Sequence, residues 1–195
     1  MELMNLVKSP CWDYRRGVPT CPVQPRERGI AAIPHEDGKI LFTLACFIKA
    51  RHIVELGTFA GNGTNYLAAA AYYTNGWVDT VDLVWYWGGV LRGWAIEWRY
   101  RPYVCQYKSD AWEYLYKQDD NSIDFIFEDS SHTYHNTTEL IHLSKDKLRV
   151  GGILAVHDVL VDYVKAGEAV KDSGLEFLVA DTAPHHRGVA VWRKR

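Results

Sequence analysis

The chain has 195 residues, with 22 basic and 24 acidic side chains and a formal net charge of −2. Its length suits one domain, because two independent cores would each be small. The charge balance excludes binding of nucleic acid through a basic excess, and no stretch approaches the ~20 apolar residues of a membrane span. Since no apolar signal core follows Met1, we expect a cytoplasmic protein.

The N-terminal part of the chain differs in composition from the rest. Its first 34 residues hold five of the seven prolines and lack regular apolar spacing. We therefore predict an irregular arm over residues 1–34 and a single domain over residues 35–195. The Pro-rich composition of the arm suggests a homodimer built on it.

The first half of the domain alternates helices and strands. In chain order, apolar spacing predicts a helix over 34–50, a strand over 52–57, a helix over 64–71, strands over 78–84 and 103–108, and a helix over 111–117. The strand over 52–57 is short and mostly apolar, as expected for a strand buried on both faces.

The second half continues this alternation and then changes. The predicted elements are a strand over 123–129, a helix over 137–148, a turn over 149–152, a strand over 153–156, a helix over 161–173 and strands over 176–180 and 189–193. The last two strands lack an intervening helix, which predicts an antiparallel hairpin. The predicted fold class is α/β, a doubly wound, mostly parallel, Rossmann-like sheet of seven strands with a C-terminal antiparallel hairpin.

Carboxylates stand at or just past the predicted strand ends. They are Glu55, Asp82, Asp110, Asp129 and Asp158. In an open parallel sheet, ligands bind beyond the carboxyl ends of the strands. We therefore predict that these five side chains border one ligand site.

A glycine-rich turn follows the first strand, with glycines at 57, 61 and 63. This spacing differs from the G-x-G-x-x-G pattern that holds a dinucleotide pyrophosphate, which disfavours a nicotinamide-dependent oxidoreductase. Glu55 precedes the turn by two residues, and its charge would repel a pyrophosphate but suit a cationic ligand. S-adenosylmethionine carries a sulfonium and an ammonium group. The alternative for Glu55 is a carboxylate that caps the turn.

Two further carboxylates suit a nucleoside. Asp82 lies 27 residues after Glu55, at the end of the second strand, where a carboxylate commonly accepts hydrogen bonds from ribose hydroxyls. Asp110 opens a helix, so it can accept a hydrogen bond from the adenine amino group, cap the helix, or do both.

Two stretches carry a family resemblance. The first contains Pro34, Gly38, Glu55, Gly57, Gly61 and Thr64; the second contains Asp124, Asp129, His132, Tyr134, Leu148, Gly151, Gly152, His157 and Asp158. Over roughly residues 34–160, this pattern resembles the class I S-adenosylmethionine-dependent methyltransferases, especially the small-molecule O-methyltransferase branch.

The resemblance implies a set of cofactor-binding residues in the single predicted domain. It comprises Glu55, Gly57, Thr58, Phe59, Gly61 and Thr64 around the methionine part, Asp82 at the ribose, Asp110 with Ala111 at the adenine, and Asp129 near the amine, the metal or both. The chain departs from metal-dependent relatives at Ser130-Ser131 and at His157-Asp158.

The chemistry of the acceptor leaves alternatives open. A hydroxyl is a poor nucleophile until it loses its proton, which Mg²⁺ bound by Asp129 and Asp158 would assist. Alternatively, His132 or His157 acts as a general base without metal, since imidazole titrates near working pH. Structural roles for both histidines are the third alternative, with His157 facing solvent.

We expect a methyltransferase that acts on a hydroxyl of a small molecule. One rival is a metal-dependent hydroxylase-like relative, because Asp129-Ser130-Ser131-His132 is similar to a D-S-x-H motif of such enzymes. Another is a non-catalytic module that binds the cofactor. The Trp-rich segment 85–101 is expected to be either an aromatic lid or an amphipathic helix that packs its Trp side chains on the core or a partner.

Overall fold

The computed structural model describes residues 20–23, 33–84, 96–130, 133–159, 173–181 and 188–195. Its elements are α1 (His35–Phe47), β1 (His52–Leu56), α2 (Asn62–Thr74), β2 (Trp77–Asp82), a 3₁₀ turn (Arg101–Tyr103), β3 (Val104–Lys108), α3 (Ala111–Tyr116), β4 (Ile123–Glu128), α4 (Tyr134–Lys147), β5 (Leu148–His157), β6 (Glu176–Asp181) and β7 (Val189–Arg193). Among these residues, no helix combines the length and the apolar character needed to cross a membrane.

The seven strands form one sheet in the order β3-β2-β1-β4-β5-β7-β6. The first five pair in parallel, and β7 pairs antiparallel with both β5 and β6. This confirms the predicted doubly wound α/β class and its C-terminal antiparallel pair. The strand order reverses between β1 and β4, which is where such sheets bind ligands beyond their carboxyl ends.

Successive residues of the central strands are buried on opposite faces of the sheet. Ile53 and Phe125 join the core beneath α1 and α2, whereas Val54 and Ile126 join the core beneath α4. Burial on both faces explains why these strands are continuously apolar, since parallel sheets are covered by helices on each side. The two cores hold in place the carboxyl ends of the parallel strands, which together form the carboxyl edge of the sheet.

The predicted turn over 149–152 is wrong, because β5 runs without interruption through these residues. Leu148 pairs with Ile123, and regular pairing resumes at Ile153 opposite Phe125, so the register shifts between the two pairs. Gly151 adopts φ +81° within the strand and donates its N–H to the Lys194 carbonyl. The glycines therefore permit an irregularity within a strand instead of ending it.

Other boundaries moved by a few residues. The helix α1 ends at Phe47 instead of about residue 50, and β2 ends at Asp82 instead of residue 84. The helix α2 begins at Asn62 and continues to Thr74, where Asn75 adopts a left-handed conformation and donates its N–H to the Ala71 carbonyl. The predicted helix over 161–173 lies outside the described residues except for Ser173, as does most of the arm. The division at residue 34 stays a prediction.

Candidate active site

The loops after β1 and β4 are pressed together at the carboxyl edge of the sheet. Gly57 has φ +97°, and a Cβ there would overlap the carbonyl group of Asp129. The Gly57 N–H donates to the Val81 carbonyl (2.9 Å), and the Asp129 N–H donates to the Leu56 carbonyl (2.9 Å). Only glycine fits this position, since it alone has no side chain and adopts positive φ without strain.

Glu55 lies beneath the glycine turn and is 1% exposed. Its Oε2 accepts hydrogen bonds from the hydroxyls of Thr64 (2.5 Å) and Thr80 (2.6 Å). Burial raises the pKa of Glu55 to about 8, assisted by the charges of Asp129 and Asp82 and opposed by the two hydroxyls. Glu55 is therefore largely protonated at neutral pH. The donors to Glu55 that the structure describes are side-chain hydroxyls, one from α2 and one from β2, and both interpretations of Glu55 stay predictions.

Asp82 shapes the loop after β1. Its Oδ2 accepts the N–H groups of Thr58 (3.1 Å) and Phe59 (2.8 Å), and its Oδ1 accepts the N–H of Val84 (3.1 Å). Thr58 is buried, and its hydroxyl shares a hydrogen bond of 2.6 Å with that of Thr80. The Asp82 carboxylate thus fixes the loop backbone while it also borders a cavity.

Asp110 caps α3. Its Oδ1 accepts the N–H groups of Trp112 (2.8 Å) and Glu113 (3.2 Å), as an N-cap side chain should. Asp110 also borders the same cavity as Asp82, together with Ala111. The cap is therefore confirmed, and the hydrogen bond from adenine stays a prediction.

A cavity of about 490 Å³ opens at this edge of the sheet. Four predicted cofactor-binding residues line it: Gly57, Asp82, Asp110 and Ala111. Sequence reasoning did not select the rest of its described wall, which comprises Val81, Leu83, Ser109, Trp112, Ser130, Asn136, Glu139 and Leu140. The volume falls within the range of small-molecule sites.

The other predicted cofactor residues, Asp129 included, are not part of the described cavity wall. Glu55, Thr58 and Thr64 are buried in the hydrogen-bonded layer beneath the loop. Phe59 is exposed, and Gly61 precedes α2 with φ +80°. Their direct contact with a cofactor stays a prediction.

A cluster of carboxylates surrounds His157 at the end of β5. The Nδ1 atom of His157 lies 3.1 Å from Oδ1 of Asp129 and 3.2 Å from Oδ1 of Asp158, and its Nε2 lies 3.1 Å from Oδ2 of Asp37. Burial lowers the pKa of His157, but the hydrogen bonds and charges of the carboxylates outweigh it and raise the pKa to about 10. The residue is 6% exposed, so the prediction that it faces solvent is wrong.

Asp37 is the member of this cluster that sequence reasoning missed. It lies in α1, 120 residues before His157, and is 0% exposed. A signal was present in the sequence, because Asp37 shares one helical stripe with the buried apolar residues Leu41 and Leu44. A carboxylate on the buried stripe of a helix requires a partner, and His157 is that partner.

The donor set of the cluster fits a divalent cation. Single ligand atoms of Asp129, His157 and Asp158 all lie within 4.8 Å of one another. Two carboxylate oxygens and one imidazole nitrogen are common ligands of such ions. The structure therefore brings together both predicted metal ligands and one predicted catalytic histidine. The other predicted catalytic histidine, His132, lies outside the described residues.

The Trp-rich segment is described only at its end. Residues 98–100 form a turn instead of a helix, and Trp98 is 81% exposed. Arg99 lies over the Tyr100 ring, 4.6 Å from its centroid, and pairs with Glu97. Trp98 therefore does not pack on the core, and residues 85–95 lie outside the description.

The sequence of the chain matches a known protein family. The sequence model of a family described as a methyltransferase domain matches residues 54–159. No curated protein matches the chain by sequence.

Several solved structures share the fold. The cofactor-bound protein Rv0187 from MTB is 22% identical with a TM-score of 0.69, covering 87% of this chain and 84% of that one. The O-methyltransferase TomG from Streptomyces achromogenes, involved in tomaymycin synthesis and solved with SAM, is 22% identical with a TM-score of 0.65, covering 84% and 81%. An O-methyltransferase from Bacillus cereus in complex with SAH is 17% identical with a TM-score of 0.61, covering 93% and 86%.

Proposed function

The chain belongs to the methyltransferase-domain family, and on that premise we propose that it transfers the methyl group of S-adenosylmethionine to a hydroxyl of a small molecule. The observation that carries this proposal is the position of the cavity. Gly57, Asp82, Asp110 and Ser130 line it, and Ser130 directly follows Asp129, which belongs to the cluster around His157. A cofactor in the cavity would direct its reactive end toward that cluster.

The cavity wall suits the nucleoside part of the cofactor. The Asp82 carboxylate is an acceptor for ribose hydroxyls, and Asp110 is an acceptor for an adenine amino group. The partly apolar surface of Ala111 and Trp112 lies beside them and would contact the base. That TomG and the Bacillus cereus enzyme hold SAM and SAH on the same fold supports this assignment.

The acceptor hydroxyl must lose its proton during the displacement at the sulfonium methyl. A divalent cation, when bound, supplies this chemistry by lowering the pKa of the hydroxyl and orienting it. Asp129, His157 and Asp158 are the residues that would hold it. Asp129 is the most exposed of the three, so its carboxylate is the one most accessible to an acceptor.

His157 alone is poorly suited to the base of a metal-free reaction. Both of its ring nitrogens face carboxylate oxygens, and its pKa is raised to about 10. Because both ring nitrogens are engaged by carboxylates, neither is free to take the proton of an acceptor hydroxyl in this arrangement. This observation favours the metal-assisted alternative over His157 as general base.

A binding and turnover experiment tests the proposed function. Calorimetric titration with S-adenosylmethionine is carried out on the wild-type chain, on Asp82→Asn and on a matched control, Glu113→Gln, whose side chain is exposed on α3. We expect binding that weakens about tenfold in Asp82→Asn, as expected for one lost charge-assisted hydrogen bond, and is unchanged in the control.

Turnover then separates the rivals. Incubation with methyl-labelled cofactor and a panel of small-molecule hydroxyl acceptors should yield labelled product. Absence of cofactor binding by the wild type would refute the proposal. Binding without label transfer to any acceptor would favour the non-catalytic module, and metal-dependent oxidation of an acceptor without label transfer would favour the hydroxylase-like relative.

A further inference from the structure

We propose that Asp37 is a positioning residue that holds His157 with Nδ1 toward Asp129 and Asp158, and that the resulting site takes a first-row transition-metal dication such as Mn²⁺ in preference to Mg²⁺. This deepens the proposed function at the same site and rests on it only in placing the cation beside the acceptor.

The orientation of the His157 ring is set from two sides. Its Nε2 lies 3.1 Å from Oδ2 of Asp37, and its Nδ1 lies 3.1 Å from Asp129 and 3.2 Å from Asp158. A cation that binds Nδ1 must first displace the hydrogen there, and a carboxylate that accepts the Nε2 hydrogen keeps the ring in the tautomer whose Nδ1 lone pair faces the cation. Histidines that bind metals usually donate their other ring hydrogen to a carboxylate, a carbonyl or water in this way.

Asp37 is a costly residue to place in α1. It is 0% exposed, and its Oδ1 has no hydrogen-bond partner among the described residues. Burying a carboxylate with one unsatisfied oxygen costs free energy that an apolar residue on the same stripe would not. Because its one side-chain partner in the described structure is His157, we assign to Asp37 the function of orienting that ring.

The donor set decides the kind of cation. Mg²⁺ favours oxygen ligands in a near-ideal octahedron and rarely takes imidazole. Mn²⁺, Fe²⁺, Co²⁺ and Zn²⁺ accept an imidazole nitrogen beside carboxylates, and their affinity for such a mixed site exceeds that of Mg²⁺. His157 supplies that nitrogen between the two carboxylates of Asp129 and Asp158. The nitrogen therefore distinguishes this site from one built of oxygens alone.

Metal binding is measured on the chelator-stripped full chain without any acceptor. Titration with Mn²⁺ is followed by the electron paramagnetic resonance signal of the free ion, and Mg²⁺ is added as competitor. We expect Mn²⁺ to bind at least about tenfold more tightly than Mg²⁺. Electron spin echo modulation of the bound Mn²⁺ should show one imidazole nitrogen, which is lost in His157→Gln.

Two variants of Asp37 test its positioning function. Asp37→Leu removes the acceptor, and we expect Mn²⁺ binding to weaken about 10- to 100-fold with a reduced nitrogen modulation. Asp37→Asn keeps an oxygen that can accept the Nε2 hydrogen and should lose much less. Glu36→Gln, an exposed neighbour on the same helix, is the matched control and should not differ from the wild type.

Several outcomes would overturn the proposal. They are no Mn²⁺ binding by the wild type, equal affinity for Mg²⁺, no nitrogen modulation, or unchanged Mn²⁺ affinity in Asp37→Leu. Thermal melting and titration with S-adenosylmethionine show whether each variant is folded. Absence of S-adenosylmethionine binding by the wild type would contradict the proposed function without affecting the metal measurement. Failure of the proposed function and failure of the metal proposal are therefore distinguishable.

Discussion

The sheet has a buried histidine beside an aspartate at its amino edge, where the parallel strands begin, and another at its carboxyl edge, where they end. The two sites differ in charge. At the amino edge, Nε2 of His52 lies 2.9 Å from Oδ2 of Asp79, which also accepts a hydrogen bond from the Tyr114 hydroxyl (2.7 Å). The His52 ring stacks on Trp77, with 4.7 Å between centroids. One carboxylate there faces one imidazole and two further donors, Tyr114 and Trp77.

The carboxyl edge has the opposite balance. Three carboxylates surround the single imidazole of His157, and the Phe127 ring lies near it, with 6.3 Å between the ring centroids. An excess of buried negative charge is unfavourable unless a cation offsets it. The comparison teaches that the number of carboxylates around a buried imidazole, and not the presence of a His–Asp pair alone, distinguishes the two sites.

Of the changes considered, replacing His157 should have the largest effect on activity. We expect His157→Gln to lower methyl-transfer turnover about 100-fold, because it removes a cation-binding nitrogen and leaves three carboxylates in mutual repulsion. Binding of S-adenosylmethionine should change less than about threefold, since His157 is not part of the described cavity wall. Steady-state kinetics and calorimetry check the two values, and an equal loss of both would contradict the division between cofactor and acceptor ends.

The equivalent change at the amino edge should affect stability only. We expect His52→Gln to lower the free energy of unfolding by about 2 kcal/mol, because it removes a hydrogen bond to the buried Asp79 carboxylate. Turnover per folded molecule should equal that of the wild type. Urea denaturation measures the stability, and an activity assay measures the turnover. If the fully folded variant has a lower specific activity than the wild type, the site at the amino edge influences the reaction at the carboxyl edge.

Glu55, at the carboxyl edge, should make the stability of the protein depend on pH. Its folded-state pKa of about 8 lies above the ordinary value of 4.5, so its contribution to stability is fully present below pH 4.5 and is lost as the pH rises through about 8. Glu55→Gln mimics the protonated form and lacks this loss. The melting temperature of the variant relative to the wild type should therefore rise by about 4 °C or more between pH 5 and pH 8.5.

The matched control for Glu55 is Glu113→Gln, since the Glu113 side chain is exposed on the surface of α3. Its melting temperature relative to the wild type should not change with pH over the same range. If the difference in melting temperature between Glu55→Gln and the wild type also stays constant with pH, Glu55 is ionised in the folded protein. Direct contact with a cationic ligand would require this ionised form.

The smallest effect is expected at Asp110. Asp110→Ala should lower stability by about 1 kcal/mol through loss of the α3 cap, whereas Asp110→Asn should keep the cap. If Asp110 also accepts a hydrogen bond from adenine, calorimetry should show weaker cofactor binding in Asp110→Ala. Unchanged cofactor binding would assign Asp110 to the cap alone.

Local patterns predicted much of the molecule. The alternation of short apolar runs with helical spacing predicted the sheet class. Of the five carboxylates predicted to border one site, Asp82 and Asp110 line the cavity; outside its described wall lie Glu55, Asp129 and Asp158. The prediction succeeds for Asp82 and Asp110 because parallel strands end at one edge whatever their order in the sheet. The prediction of a turn at Gly151 failed because a glycine pair permits either a turn or a bulge, and only strand pairing decides between them.

The details of the site depend on contacts between distant segments. The sequence shows that Glu55 precedes a glycine turn, but its contact with the Thr80 hydroxyl follows from the pairing of β1 with β2. The hydroxyl of Thr64 reaches the same carboxyl group from the first turn of α2. Asp37 meets His157 only because α1 packs over the end of β5, 120 residues later. Periodicity within one element carries no information about such a contact.

The contact between Gly57 and the carbonyl of Asp129 limits how this enzyme can be redesigned. Any larger residue at 57 would push the loop after β1 away from Asp129, so one change would disturb both that loop and the cluster around His157. Directed evolution toward new acceptors should therefore keep this junction fixed. Leu83 and Trp112 border the cavity and also reach the surface, which makes them better positions for a library.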